Sequence, residues 1–181
     1  MKRRSLIALS LGLMASSAQA QAPAAPPKTH LKVGDTAPEF TVASVAGKPV
    51  SLKDFKGTKG VVLAFFPAAF TGGCTKEMTA YQANLTHFKE LGFEVIGVST
   101  DNTPSLKYWA DNVIKPEFNL ASDFATRKAA KDYGVLMPER GIANRATFVI
   151  STAGKIEHIE EGSGAVDISG ASNACSRLAK H

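Results

Sequence analysis

Cys74 and Cys175 are the residues of this sequence best suited to redox chemistry, and they are its two cysteines. They lie about a hundred residues apart, so the chain has no Cys-x-x-Cys pair. Cys74 ends the segment Pro67-Ala-Ala-Phe-Thr71-Gly-Gly-Cys74, which follows an apolar run and precedes an amphipathic stretch. Two such thiols can form a structural disulfide, a redox pair, or one reactive and one inert thiol.

The position of Cys74 favours a reactive thiol. In the first turn of a helix, the helix dipole and the free N–H groups stabilise a thiolate over a thiol. The thiolate is the form that attacks a peroxide oxygen and becomes a sulfenic acid. Gly72 and Gly73 allow a sharp turn and a close approach of the backbone, and Thr71 places a hydroxyl on the same turn. The alternative is an ordinary buried thiol, because free cysteine is among the most buried residue types.

The elements on either side of this segment must hold it at the edge of a sheet. Residues 61–66 form a continuous apolar run stopped by Pro67, which predicts a central buried strand. Residues 74–91 carry an apolar stripe at helical spacing, and residues 93–99 predict the next strand. A strand, a helix and a strand imply a parallel pair with a right-handed crossover. Ligand sites in such sheets lie beyond the carboxyl ends of the strands, where Cys74 falls.

The same alternation continues through the chain. The pattern predicts helices at 104–114, 124–133 and 167–179, a short strand at 118–121, a hairpin from 146–151 and 155–159, and an edge hairpin from 40–43 and 49–52. The expected fold class is therefore α/β, a single domain with a central mixed β-sheet flanked by helices on both faces.

Three blocks of sequence resemble the peroxiredoxins, the alkyl hydroperoxide reductase and thiol-specific antioxidant family. Pro67-x-x-x-Thr71-x-x-Cys74, within residues 65–77, resembles the family's active-site signature. Residues 33–40 resemble the family's opening, and residues 145–150 the strand that supplies its active-site arginine. The resemblance implies a thioredoxin-like fold. It also implies a thiol-dependent peroxidase that reduces hydrogen peroxide, organic hydroperoxides or both.

Roles follow from this resemblance, residue by residue. Cys74 resembles the peroxidatic cysteine, Thr71 would hydrogen-bond the thiolate and the peroxide, and Pro67 would shield the site from water. Arg145 would hold the thiolate and help to polarise the O–O bond. Glu77 resembles a family carboxylate that orients the arginine. Without the resemblance, Glu77 is as easily an exposed helix glutamate, and Arg145 a solvated residue at the start of a strand.

Cys175 is the internal candidate for resolving the sulfenic acid as a disulfide. It lacks the Val-Cys-Pro context of the typical two-cysteine members and resembles more closely the late cysteine of the atypical, single-chain class. Its position on a helical stripe with Ile168, Ala171 and Leu178 also suits a small buried hydrophobe. A disulfide would require the helix to unwind, because the two Cα atoms must come within about 7 Å. The implied recycling reductant is a thioredoxin-like protein or a low-molecular-weight thiol, and the family suggests a homodimer.

Two other functions compete with this one. An exported thiol–disulfide oxidoreductase needs a Cys-x-x-Cys motif, and here Thr71 occupies its first position. A non-catalytic thioredoxin-fold binding module would hold Cys74 and Cys175 in a static disulfide, which resists mild reductant. His30, His87, His158 and His181 show no metal-ligand spacing, and no nucleotide-binding motif is present. The sequence therefore implies neither a cofactor nor a metal.

The first twenty residues predict a secretory signal peptide. A basic start, a short apolar core and the small-x-small site Ala18-Gln19-Ala20 are typical of one. We expect an exported protein, periplasmic or extracellular, with a flexible lead-in at 21–30 and one domain at 31–181. Removal of Lys2, Arg3 and Arg4 lowers the formal charge from +5 to about +2. A nearly neutral surface gives no indication of a nucleic acid or a membrane as partner.

Overall fold

The computed structural model of this 181-residue chain describes residues 28–180. The predicted signal peptide and residues 21–27 of the lead-in lie outside the described residues. The chain is already held at Thr29, whose N–H donates to Glu161 Oε1 at 2.7 Å and whose hydroxyl donates to the carbonyl of Tyr133 at 2.6 Å. Within residues 28–180, no helix has the length and apolar character needed to cross a membrane.

A seven-stranded mixed sheet forms the centre of the molecule, in the order β2-β1-β5-β4-β3-β8-β9. The sheet strands are β1 (Thr41–Ser44), β2 (Val50–Ser51), β3 (Gly60–Phe65), β4 (Phe93–Ser99), β5 (Asn119–Ser122), β8 (Ala146–Ile150) and β9 (Ile156–Glu161). The helices are α1 (Gly72–Ala83), α2 (Leu85–Glu90), α3 (Thr103–Trp109), α4 (Lys128–Asp132) and α5 (Ser169–Leu178). A separate small hairpin joins β6 (Leu136–Met137) to β7 (Ile142–Ala143).

The central strands run parallel, and the strands around them run antiparallel. Strand β3 pairs with β4 in parallel from Gly60↔Phe93 to Phe65↔Val98, and β4 pairs with β5 in parallel. Strand β8 lies antiparallel to β3 on its other side, with Phe65 opposite Ala146. The predicted strand–helix–strand unit, both hairpins and the mixed sheet are confirmed. Because β8 runs antiparallel, its start lies beside the end of β3, where the segment of residues 67–74 begins.

Helices cover both faces of the sheet, but unequally. One apolar core joins α1, α2, α3 and α5 to one face. The other core contains Phe65, Tyr133 and Phe148, and among the described residues α4 is the one α-helix that contributes to it. Phe65, the last residue of β3, and Phe66, which follows it, belong to opposite cores, because consecutive side chains of an extended chain point to opposite faces. The α/β fold class with helices on both faces is therefore confirmed.

Three predicted helices differ from the observed ones. Residues 74–91 form two helices, interrupted at Asn84, whose side-chain amide donates to the carbonyl of Ala80 at 2.9 Å. The helix predicted at 104–114 ends in a π-helical turn, Ala110–Ile114. The helix predicted at 124–133 is wrong in its first half, because Arg127 takes a left-handed φ of +52° and α4 begins only after it. Tertiary contacts decide these boundaries.

Candidate active site

Cys74 lies in the first turn of α1, as its sequence position predicts. Helix α1 begins at Gly72, with Thr71 as the N-cap residue. The turn between β3 and α1 is sharp enough to place Phe70, a non-glycine residue, at a left-handed φ of +62°. The Cys74 side chain points back into the core and is only 1% exposed. The thiol is therefore held between the helix N-terminus and the sheet, with little access to bulk water.

Arg145 contacts Cys74 directly. Its Nη2 donates to Cys74 Sγ at 3.2 Å, and its Nη1 donates to Glu77 Oε2 in an ion pair. The antiparallel pairing of β8 with β3 brings Arg145, the residue before β8, to the turn of residues 67–71, called here the catalytic turn. Both acceptors, Cys74 Sγ and the Glu77 carboxylate, lie on α1. The two residues are three positions apart and therefore share one face of the helix. One planar guanidinium thus bridges a sulfur and a carboxylate through two N–H groups in a fixed fork, a geometry that the single ammonium of a lysine does not provide.

The charges at this site are almost completely buried. Glu77 is 0% exposed, and the Arg145 side chain is 11% exposed. Glu77 Oε1 has no hydrogen-bond partner within the described part of the chain. The exposed-glutamate interpretation of Glu77 and the solvated interpretation of Arg145 are therefore both wrong. The Arg145 guanidinium is therefore held against Cys74 Sγ in a site from which water is largely excluded.

Gly73 makes room for the guanidinium. A Cβ atom at this position would lie 3.2 Å from Arg145 Nη2, whereas a Cβ atom at Gly72 would meet nothing within 4 Å. A close approach to the backbone was expected at both glycines. It is found at Gly73, where the guanidinium packs, and not at Gly72.

Thr71 and Pro67 lie on the same turn. The hydrogen bond of the Thr71 side chain goes to the backbone of the turn, whereas Arg145 donates to Cys74 Sγ. The Thr71 hydroxyl donates to the carbonyl of Ala68 at 2.9 Å, and its side chain is exposed. Pro67 is partly buried where β3 ends. The Thr71 hydroxyl keeps its acceptor lone pairs and can rotate toward a bound peroxide.

Asp101 also contacts the catalytic turn, although it was not among the candidate residues predicted from the sequence. Its carboxylate accepts from the N–H of Ala69 at 2.7 Å. Its sequence position could have suggested this contact. Asp101 follows the end of β4, which pairs with β3, and open α/β sheets form their sites beyond the carboxyl ends of their strands.

Cys175 lies on α5, in the same apolar core as Cys74. It is 0% exposed, and burial raises the pKa of its thiol to about 12. Both cysteines are free, so the static disulfide of a binding module is absent. The buried-hydrophobe interpretation of Cys175 therefore describes this conformation, with the thiol protonated at neutral pH.

A thioredoxin-like sheet with a buried thiol at a helix N-terminus and a guanidinium on its sulfur defines a thiol-based redox enzyme. The sequence profile described as the AhpC/TSA family matches residues 33–159, and the chain belongs to that family. It is a peroxiredoxin, a thiol-dependent peroxidase.

Relatives and solved structures agree with this family. The chain is 38% identical over 131 residues to alkyl hydroperoxide reductase E of Mycobacterium tuberculosis, which covers 72% of this chain and 85% of the relative. It is 40% identical over 125 residues to the chloroplastic peroxiredoxin Q of Sedum lineare, covering 68% and 66%. The crystal structure of peroxidoxin BcpB from Mycobacterium tuberculosis superposes with a TM-score of 0.74 at 32% identity, covering 82% of this chain and 97% of that one.

Proposed function

We propose that this enzyme reduces hydrogen peroxide and organic hydroperoxides by attack of the Cys74 thiolate on one oxygen of the O–O bond. An S–O bond forms, the O–O bond breaks, and the electron pair leaves with the distal oxygen, which takes a proton to become water or an alcohol. The contact of Arg145 Nη2 with Cys74 Sγ at 3.2 Å is the observation that carries the proposal.

The other residues act on this step through position and charge. Arg145 stabilises the thiolate and the charge that develops on the leaving oxygen. Glu77 holds the guanidinium in place through its buried ion pair. Thr71 hydrogen-bonds the peroxide from the N-cap of α1, and Pro67 keeps water from the sulfur. Each role rests on the position of the residue around Cys74 and on the family resemblance.

Cys175 is the internal candidate for resolving the sulfenic acid, and an external thiol is the alternative. Its complete burial and raised pKa support the alternative, because a buried protonated thiol is a poor nucleophile. Resolution by Cys175 would require α5 to open. We therefore propose that a thioredoxin-like protein or a low-molecular-weight thiol reacts with the Cys74 sulfenic acid before Cys175 does.

Intact mass under non-reducing conditions tests both steps after one equivalent of hydrogen peroxide. We expect the wild type to gain one oxygen, Cys175→Ser to behave in the same way, and Cys74→Ser to stay unchanged. Loss of two hydrogens in the wild type but not in Cys175→Ser would assign resolution to Cys175. Equally slow oxidation of Cys175→Ser and Cys74→Ser would contradict the division of roles.

Export and homodimer formation complete the proposal. The basic start, apolar core and Ala18-Gln19-Ala20 site support cleavage after residue 20 and a periplasmic or extracellular location. Intact mass of the protein recovered outside the cytoplasm should correspond to a chain that begins at Gln21, and a full-length mass there would contradict processing. Light scattering of the processed protein should give twice the monomer mass, and a monomer mass would contradict the homodimer.

A further inference from the structure

The catalytic turn, residues 67–71, is tied to the sheet by a side chain from the neighbouring strand. The turn leaves the sheet after β3, and the N–H of Ala69 donates to Asp101 Oδ2 at 2.7 Å. Asp101 lies two residues beyond the end of β4, the parallel partner of β3. The bond therefore joins two adjacent carboxyl ends of the sheet at the residue just before Phe70.

Asp101 is itself held in place from both sides. The hydroxyl of Ser99 donates to Asp101 Oδ2 at 2.9 Å and accepts from the Asp101 N–H at 3.0 Å. The hydroxyl of Ser122, the last residue of β5, donates to the Asp101 carbonyl at 2.5 Å. Ser99 is completely buried. Ser99 at the end of β4 thus orients the carboxylate, and Ser122 at the end of β5 holds the backbone that carries it.

The bond at Ala69 acts on the part of the turn that sets the position of Cys74. Phe70 follows Ala69 and takes the left-handed conformation, which a residue with a Cβ atom adopts only when its surroundings impose it. Thr71, the next residue, is the N-cap of the helix that carries Cys74. A turn released at Ala69 can relax at Phe70, and the start of α1 would move with it.

We propose that Asp101 is a positioning residue for peroxide reduction. Its carboxylate holds the turn so that Thr71 and Cys74 Sγ stay in reacting geometry against Arg145. The inference rests on the peroxidase chemistry proposed for Cys74. Misplacement of reacting groups by about 1 Å costs up to roughly a hundredfold in rate, so loss of the anchor should cost about ten- to a hundredfold.

The test compares Asp101→Ala, Asp101→Asn and Asp123→Ala. The asparagine oxygen can accept the same two hydrogen bonds without the charge, so Asp101→Asn separates positioning from electrostatics. Asp123 is a matched control: it is a buried aspartate directly after β5, and its carboxylate accepts from the N–H of Ala130 in α4 at 2.8 Å. Its loss should weaken the fold without touching the turn.

Two quantities are measured for each variant, at a temperature and urea concentration well below those at which it unfolds. The first is the second-order rate constant of oxidation by hydrogen peroxide, followed through the fluorescence of Trp109, whose ring centroid lies 6.2 Å from that of Phe70. The second is the rate of alkylation of Cys74 by iodoacetamide at neutral pH, which reports the thiolate. Urea unfolding gives the stability of each variant.

We expect Asp101→Ala to slow oxidation by about ten- to a hundredfold. Asp101→Asn should remain within about threefold of the wild type. Asp123→Ala should keep the wild-type rate despite a lower unfolding midpoint. A wild-type rate in Asp101→Ala, or equal slowing in Asp123→Ala, would overturn the inference. A wild type that does not react with peroxide would overturn the proposed chemistry instead.

If Asp101→Ala does not fold, Ser99→Ala replaces it, because it removes the hydroxyl that orients the carboxylate but keeps the carboxylate itself. Oxidation of Ser99→Ala slower than that of Asp101→Asn supports the anchor, and equal wild-type rates in both variants refute it.

Discussion

Replacement of Arg145 by leucine separates its role in the reaction from its role in the fold. The change removes the donor to Cys74 Sγ at 3.2 Å and the partner of the fully buried Glu77. A hydrogen bond to a charged group contributes about 1.5–3 kcal/mol. If the transition state loses that amount, peroxide oxidation slows by about 10- to 150-fold. Leucine is chosen because, unlike methionine, it is not oxidised by the substrate.

The stability of the same variant should fall for a different reason. Removal of one partner from a buried ion pair leaves an uncompensated charge, at a cost of about 3–5 kcal/mol. Replacement of both partners by apolar residues avoids this cost. The double variant Arg145→Leu/Glu77→Leu should therefore lie within about 1–2 kcal/mol of the wild type, with a small cavity penalty. Its oxidation rate should stay as low as that of the single variant.

The assay measures urea unfolding and the second-order rate of oxidation for the wild type, the single variant and the double variant. Cys74→Ser supplies the background rate. Recovery of both stability and rate in the double variant would refute the reasoning, because Arg145 would then act through the fold alone. An unchanged rate in the single variant would show that the Sγ contact does not matter.

Two further predictions follow from the packing around the two cysteines. Gly73→Ala should slow oxidation about two- to tenfold, because its Cβ would displace the Arg145 guanidinium by a few tenths of an ångström, whereas Gly72→Ala should react like the wild type. Equal rates in the two stopped-flow measurements would contradict this. The folded pKa of Cys175, about 12, lies above its ordinary 9.0, so the unfolded state ionises first and stability falls between these two values as pH rises. Between pH 8 and 10 the wild type should lose about 1.4 kcal/mol more than Cys175→Ala in urea unfolding, and parallel losses would exclude Cys175 as the source.

The local signals in the sequence were sufficient for the catalytic turn and the elements beside it. An apolar run stopped by Pro67, followed by apolar residues at helical spacing after Cys74, predicted a strand followed by a helix, and β3 and α1 confirm this order. The bounds of β4 agree with the predicted 93–99, because a parallel central strand is apolar on both faces. The local sequence pattern, together with the family motif around Cys74, therefore predicted a thiol in the first turn of a helix at the carboxyl end of a buried strand.

Only the tertiary structure decided what surrounds that thiol. Glu77 has the sequence context of an exposed helix residue, and in the fold it is buried against Arg145, which directly precedes β8 and lies 68 residues further along the chain. The contact of Asp101 with Ala69 also joins the ends of two strands, and nothing local to either residue encodes it. Likewise, the left-handed Arg127 that shortens the predicted helix at 124–133 donates to the carbonyl of Gly141, fourteen residues away. Periodicity specifies which face of an element is buried, whereas the pairing of charged groups depends on strand order and direction, which arise only when the sheet assembles.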